Sequence, residues 1–391
     1  MRVVRTFHPV GQGAFYSERF YEKGKPETFA NVVYDCGVAF GHVWQEKHVV
    51  SQAFSSNDEI EFLFISHLDY DHVSLIETLF NQVKGVKNLV LPFAYQEQLM
   101  ITMTYYRLSW NDYMVNFLQK IIKHLNRNHG DDFKDGEYNI IFVGDLDKDA
   151  PDIGHATLWK SGTPKATKKE PEWVFIPYNV GYRWRKQEFI TELGNLLKKK
   201  KFSDEILKVG EKAFQNADEL YEKLKDTTFV EKVLFNTVLR AALKDAYKKI
   251  EGGTNENSLL LYSGPISKNL RYTVEMCVPC RYCGCCGYYK AGCLYTGDST
   301  LDIPNWRNAV YKDVWDCIGT IQVPHHGSIE SFDMTVDPID KQYIMPVSIG
   351  SYNTYGHPSG EVLAYILNKG CCTQIVSERA DSVYMQVVEK W

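Results

Sequence analysis

The chain has 391 residues, 44% hydrophobic, 24% charged and 14% aromatic, enough apolar matter for one large domain or two ordinary ones. Wealth in Tyr, Phe and Trp excludes intrinsic disorder, and no window approaches the roughly 20 consecutive apolar residues of a membrane span. The net charge of −5 excludes a polycation, although residues 181–250 hold 16 Lys+Arg against 11 Asp+Glu. That local excess reads either as a solvated helical face or as a patch that steers a polyanion.

The opening MRVVRTFHPVGQG lacks a basic-then-apolar leader, so the expectation is a cytoplasmic protein whose ten cysteines are thiols or metal ligands. Short apolar runs at Val3–Val4, Asn31–Tyr34, Phe62–Ile65 and Asn88–Leu91, each bounded by Gly, Asp, Pro or Ser, predict strands. A helix is expected over 71–83 and another over Asp112–Asn126, with strands at 139–143 and 173–176. Residues 185–250 contain no Pro and are dominated by Lys, Glu and Leu, with apolar positions every three or four residues, which predicts three or four helices. Strands resume at Ser258–Tyr262, Cys293–Tyr295, Ile318–Val323 and Tyr343–Val347, before a last helix near Glu361–Leu367. β-rich halves flanking a helical insertion indicate a layered α/β fold.

The chemistry concentrates in Ser66-His67-Leu68-Asp69-Tyr70-Asp71-His72, directly after the strand ending at Ile65. Four potential ligands in six residues at a strand-to-helix turn suit a divalent cation that accepts mixed nitrogen and oxygen donors; the plain alternative is a polar loop with capping aspartates. The pattern resembles the H-x-[HD]-x-D-H signature of the metallo-β-lactamase fold. Further segments resemble motifs of its ComEC-like branch: Val10-Gly11-Gln12-Gly13, Tyr34-Asp35-Cys36-Gly37, Asn255-Glu256-Asn257-Ser258-Leu259, Thr296-Gly297-Asp298-Ser299, Val323-Pro324-His325-His326-Gly327-Ser328 and Tyr355-Gly356-His357-Pro358-Ser359.

The resemblance implies a four-layered αββα sandwich, with halves at 1–180 and 253–391, a helical insertion or cap at 181–252, and a Cys-rich insertion at 277–293. It implies a site for two divalent ions, Zn²⁺ or Mn²⁺ with Mg²⁺ as a further option. His67 and Asp69 would hold the first ion and Asp71 and His72 the second. Asp298 would bridge them, and one of the His325–His326 pair, assigned to His326, would complete the second site. His357 resembles a late histidine that binds metal or contacts phosphate in related enzymes. Asp69, where many relatives have His, favours oxygen-loving ions. A histidine usual between the first motif and the G-D motif has no clear counterpart; His155 fits by order only, and Asn255 or Asn257 are alternatives.

Such a site hydrolyses esters through metal-acidified water, with His325 or His357 neutralising phosphate charge or protonating the leaving oxygen. Cys277, Cys280, Cys283 and Cys286 form two C-x-x-C pairs, spaced for structural zinc, with free thiols, a redox relay or an iron–sulfur cluster as alternatives. Arg183, Trp184, Arg185 and Lys186 interleave bases with an aromatic, as a single-strand stacking platform would. With the run Lys198–Lys201, they point to a phosphodiesterase or nuclease acting on DNA or RNA. A small-substrate metallohydrolase under a narrow cap is the alternative. A third reading is a catalytically weakened subunit that binds a protein partner through the helical insertion.

Overall fold

The computed structural model describes residues 1–39, 42–93, 102–106, 108, 112–125, 138–144, 156–179, 185–249, 258–276, 290–332, 334, 339 and 342–391. In chain order the strands are β1 (Arg2–Phe7), β2 (Phe15–Tyr21), β3 (Thr28–Cys36), β4 (Glu59–Ile60), β5 (Phe62–Phe64), β6 (Gly85–Val86), β7 (Asn88–Pro92), β8 (Asn139–Gly144) and β9 (Thr157–Lys160). Then come β10 (Lys165–Ala166), β11 (Trp173–Tyr178), β12 (Leu260–Pro265), β13 (Tyr272–Met276), β14 (Gly292–Tyr295), β15 (Ile318–Ile321), β16 (Ile344–Ser348), β17 (Cys372–Val376) and β18 (Tyr384–Lys390).

A nine-stranded sheet runs β13-β18-β1-β2-β3-β5-β7-β8-β9, and a seven-stranded sheet runs β10-β11-β12-β14-β15-β16-β17. Each is antiparallel on one side and parallel on the other, from β3 to β9 and from β14 to β17. Strand alternation then builds the layers. In the first sheet Val32, Tyr34, Phe62, Phe64, Val90, Ile141 and Val143 face inward and meet Trp173, Phe175, Leu259, Leu261, Cys293 and Tyr295 of the second. Their neighbours Val33, Leu63, Leu89, Leu91, Ile140 and Phe142 face outward into a separate core. Helices α1 (Val43–Ala53), α3 (Ile76–Gln82) and α4 (Asp112–Leu125) cover that face. On the other side, α10 (Ile303–Ala309) and α11 (Gly360–Asn368) cover Val174, Ile176, Leu260, Leu294 and Ile321. The result is a four-layered αββα sandwich, the architecture that the motif resemblance implies.

Two features depart from the sequence reading. The helix expected over 71–83 is two short helices, α2 (Tyr70–Val73) and α3. Between them Ser74 Oγ accepts from the Val38 amide at 2.9 Å and donates to the Val38 carbonyl at 2.8 Å, tying the chain to the loop after β3. Residues 185–248 form five helices where three or four are expected: α5 (Arg185–Leu197), α6 (Lys200–Lys208), α7 (Ala217–Lys223), α8 (Thr227–Phe235) and α9 (Thr237–Lys248). Asn216 caps α7, and Asn236 both ends α8 and caps α9, breaking a pattern that apolar periodicity reads as continuous. The five share a core of their own around Leu193, Phe202, Leu220, Phe229 and Leu243. β12 and β14 pair antiparallel, and between them the chain crosses to pair β13 with β18 in the other sheet.

Among the described residues no helix is long and apolar enough to cross a membrane.

His8, just beyond β1, is buried with its ring stacked on Phe15 and its Nε2 2.8 Å from Ser17 Oγ. Burial, aided by the Arg19 charge, pushes its pKa down to about 3. The unfolded chain takes up this proton near pH 6.5 and the folded chain does not, so stability falls as pH drops from there toward 3. Between pH 7 and 5 the His8 contribution to the loss is about 2 kcal/mol. In urea titrations His8→Gln should flatten the pH slope by that amount, and an unchanged slope would contradict the assignment.

Candidate metal centre

The site lies where carboxyl ends of parallel strands from both sheets meet, the usual place for a ligand crevice in α/β sheets. Asp35 closes β3, and His67 to His72 follow β5. Asp298 follows β14, His325 and His326 follow β15, and Ser348 ends β16. The only left-handed non-glycine residues among those described are Asp35 (φ 54°), His325 (φ 47°) and His326 (φ 52°), all of them here. Such conformations cost about 1–3 kcal/mol each and persist where surroundings over-determine them, typically at functional sites.

Two glycines permit the close packing. A Cβ on Gly37 would lie 2.5 Å from the Asp71 carbonyl, and one on Gly297 would lie 2.7 Å from Ser66 Cβ. The loop after β3 therefore presses against the backbone of Asp71 and His72, and the Asp298 turn presses against Ser66.

Fully buried Asp35 anchors the cluster. Its Oδ1 accepts from the Ser66 amide at 2.6 Å, and its Oδ2 accepts from Ser66 Oγ at 2.7 Å and from His72 Nδ1 at 2.8 Å. Ser66 Oγ is also 2.9 Å from His67 Nδ1, and Ser258 Oγ lies 3.3 Å from the same nitrogen. With Nδ1 of both rings engaged, this network turns each Nε2 inward toward Asp298. Both Nε2 atoms are buried and make no hydrogen bond.

Carboxylates stand in front of them. His72 Nε2 is 3.2 Å from Asp298 Oδ1, and His67 Nε2 is 3.8 Å from Asp298 Oδ2. On the far side of His72, His326 Nε2 is 3.3 Å from Asp71 Oδ2, and its Nδ1 donates to the Ser348 carbonyl at 2.8 Å. Donor atoms of His67, His72 and Asp298 lie within 4.8 Å of one another, as do those of Asp71, His72 and His326. His72 belongs to both groups. Buried imidazole nitrogens converging with carboxylate oxygens are a donor set that fits a divalent cation.

Electrostatics follow from this crowding. Burial, then the His72 charge, pushes His67 down to about 4. Burial also opposes charge on His72, but Asp298, Asp35 and Asp71 outweigh it and raise its pKa well above the ordinary value. Asp71 is held at about 2 against the effect of burial, by His72 and His326. Asp298 is likewise held low, chiefly by His72.

The remaining expected residues take distinct places. Asp69, partly exposed, brings Oδ2 to 4.0 Å from His67 Nε2. Its Oδ1 accepts from the Tyr106 hydroxyl at 3.1 Å, which also contacts the Leu68 carbonyl. His325 Nδ1 is 2.9 Å from Ser331 Oγ and its Nε2 is 3.7 Å from Asp298 Oδ2. The His357 ring lies 5.6 Å beyond that of His325. His155, Arg183, Trp184, Asn255, Asn257, Cys277, Cys280, Cys283 and Cys286 lie outside the described residues, as do the side chains of Arg185 and Lys186. Sequence reasoning gave no role to Ser66, Ser258, Ser348 or Tyr106. Ser66 and Ser258 stand inside recognised motifs, whereas Ser348 and Tyr106 carry no sequence signal.

No family model and no curated protein matches the chain. Among solved structures it is similar to the metallo-β-lactamase fold protein YhfI from Bacillus subtilis, at 10% identity over 46% of this chain and 55% of that one, with a TM-score of 0.23. The chain thus spans about half the length of that protein. The fold described here rests on its own layers and strand order.

Proposed function

We propose that the chain is a metal-dependent hydrolase of phosphodiester bonds, of the ComEC-like branch, with DNA or RNA as its substrate class. The observation that carries this reading is the pair of buried imidazole Nε2 atoms of His67 and His72 that converge on the Asp298 carboxylate. One divalent ion would be held either by His67, His72 and Asp298, with Asp69 beside them, or by Asp71, His72 and His326, because the one nitrogen that His72 has left beyond Asp35 serves a single ion. When bound, such an ion supplies Lewis-acid polarisation and water acidified to a pKa of about 7.

The chain's own residues do the rest. Asp35 and Ser66 fix the ring orientations of His72 and His67, and the Ser348 carbonyl fixes that of His326. His325, partly exposed and steadied by Ser331, is placed to hold a proton at Nε2 for a leaving oxygen or to pair with phosphate. A structural zinc at Cys277, Cys280, Cys283 and Cys286 remains a proposal from spacing.

The small-substrate alternative draws on one contact. Tyr105 stacks on Tyr247 of α9 at 4.5 Å, and the adjacent Tyr106 touches Asp69, so the helical insertion reaches the rim of the site.

Cleavage of single-stranded, duplex and circular DNA, of RNA and of a chromogenic bis-phosphodiester with Mn²⁺, Mg²⁺ or Zn²⁺ tests the proposal. Wild type should cleave at least one polymer, and Asp71→Ala should lose more than the roughly 100-fold that changes around a metal's ligands reach. Metal-loaded wild type that cleaves only small esters would favour the alternative, and one that cleaves nothing would overturn both.

A further inference from the structure

A line of rings runs from the surface into the metal centre. Tyr355, in the loop between β16 and α11, is 71% exposed. Its ring lies nearly parallel to the His357 imidazole, with 17° between planes and 6.0 Å between centroids. His357 stands 5.6 Å from the His325 ring, and His325 Nε2 stands 3.7 Å from Asp298 Oδ2.

The loop is built to hold this arrangement. Asn353 Nδ2 donates to the Gly350 carbonyl at 2.7 Å and to the His357 carbonyl at 2.9 Å. The Ser359 amide donates to the Gly327 carbonyl at 2.9 Å, and a Cβ on Gly327 would fall 2.7 Å from Pro358 Cβ. The Tyr355 loop and the His325–His326 loop are therefore packed against each other, which sets His357 beside His325. A second apolar side chain, Ile329, is 42% exposed on the His325 loop itself.

Isolated exposed apolar residues need no explanation. An exposed phenol stacked on an imidazole, in line with a buried donor cluster, is a different matter, because Tyr355 offers solvent an aromatic face next to the site. Flat rings stack on such a surface without regard to their edge pattern, since every nucleobase has a π-face.

We propose that Tyr355 and His357 form a subsite that stacks a planar ring of the substrate beside the metal centre, so that the hydrolysed ester is one carrying a nucleobase or another aryl group. The proposal rests on the phosphoester reading above. It gives the exposed ring the stacking role that the sequence assigns to Arg183, Trp184, Arg185 and Lys186.

Thymidine 5′-monophosphate and 2-deoxyribose 5-phosphate share a phosphate and a sugar and differ by the ring. Their binding to Mn²⁺-loaded protein, followed by calorimetry, should differ by roughly tenfold or more in favour of thymidylate. Tyr355→Phe should keep that ratio. Tyr355→Ala should bring it close to one while leaving the affinity for deoxyribose phosphate unchanged. Phenyl phosphate added as a third ligand assigns the subsite to any aryl ring if it follows thymidylate, and to a nucleobase if it follows the sugar phosphate. A ratio near one in wild type, or a ratio that survives in Tyr355→Ala, overturns the subsite and leaves the phosphoester reading standing. Binding of neither phosphate to protein whose Mn²⁺ content is verified overturns both.

Discussion

Arg5→Met should lower the free energy of unfolding by about 3–5 kcal/mol, the range for removing one partner of a buried ion pair. Arg5 of β1 is wholly buried and faces Glu18 in register on β2. Its Nε donates to Glu18 Oε1 at 2.7 Å, its Nη1 to Gln386 Oε1 at 2.8 Å, and both terminal nitrogens to the Ala291 carbonyl at 3.2 Å. Glu18 also accepts from Tyr295 at 3.0 Å and from Ser263. The network sits between the two sheets and joins residues of both. Methionine fills much of the arginine volume, so the loss measures the charge stranded on Glu18 more than a cavity. Arg5→Met combined with Glu18→Gln should recover part of it, which makes the coupling visible in a double-mutant cycle. A single variant that loses less than 1 kcal/mol in urea denaturation would show that water or rearrangement satisfies Glu18.

The second large effect concerns Asp35→Asn, which should weaken metal binding about 10- to 100-fold with little change in fold. The carboxylate accepts from His72 Nδ1, so the ring carries a proton there and Nε2 is the nitrogen a metal would take. An asparagine that keeps its oxygen on the Ser66 amide turns its NH₂ group toward His72. The ring would then accept at Nδ1 and carry its proton on Nε2, the nitrogen that faces Asp298. Competition titration with a metal indicator measures the change, and Asp35→Asn protein that binds as tightly as wild type would refute the tautomer argument.

Much of the fold was legible because parallel strands buried on both faces are nearly continuous apolar runs. Phe62–Phe64 and Asn88–Pro92 read that way and stand at the centre of the first sheet. β2 did not, because Ser17, Glu18 and Arg19 break its pattern. Glu18 is buried all the same because Arg5 lies opposite, a pairing that periodicity does not encode. β13 and β18 escaped for another reason, since their partners are distant in sequence and β13 is half exposed.

At the site, the heptapeptide from Ser66 to His72 announces itself because four donor side chains crowd one turn. Asp298 and His326 are ordinary residues in isolation and stand out only through motif resemblance. Ser348 contributes a backbone carbonyl, which any residue would supply, and Tyr106 reaches Asp69 through tertiary packing alone. The sequence also separates the ions by order along the chain, whereas the structure makes His72 common to both donor groups.

That shared histidine makes the most direct measurement a Mn²⁺ titration by electron paramagnetic resonance of wild type beside His72→Ala, since Mn²⁺ disfavours the thiolates of the cysteine-rich segment. Both groups use His72, so wild type should take up Mn²⁺ at one of them and His72→Ala should take up none with comparable affinity. Equal uptake by the two proteins would contradict a metal centre at this cluster, and the hydrolase reading with it.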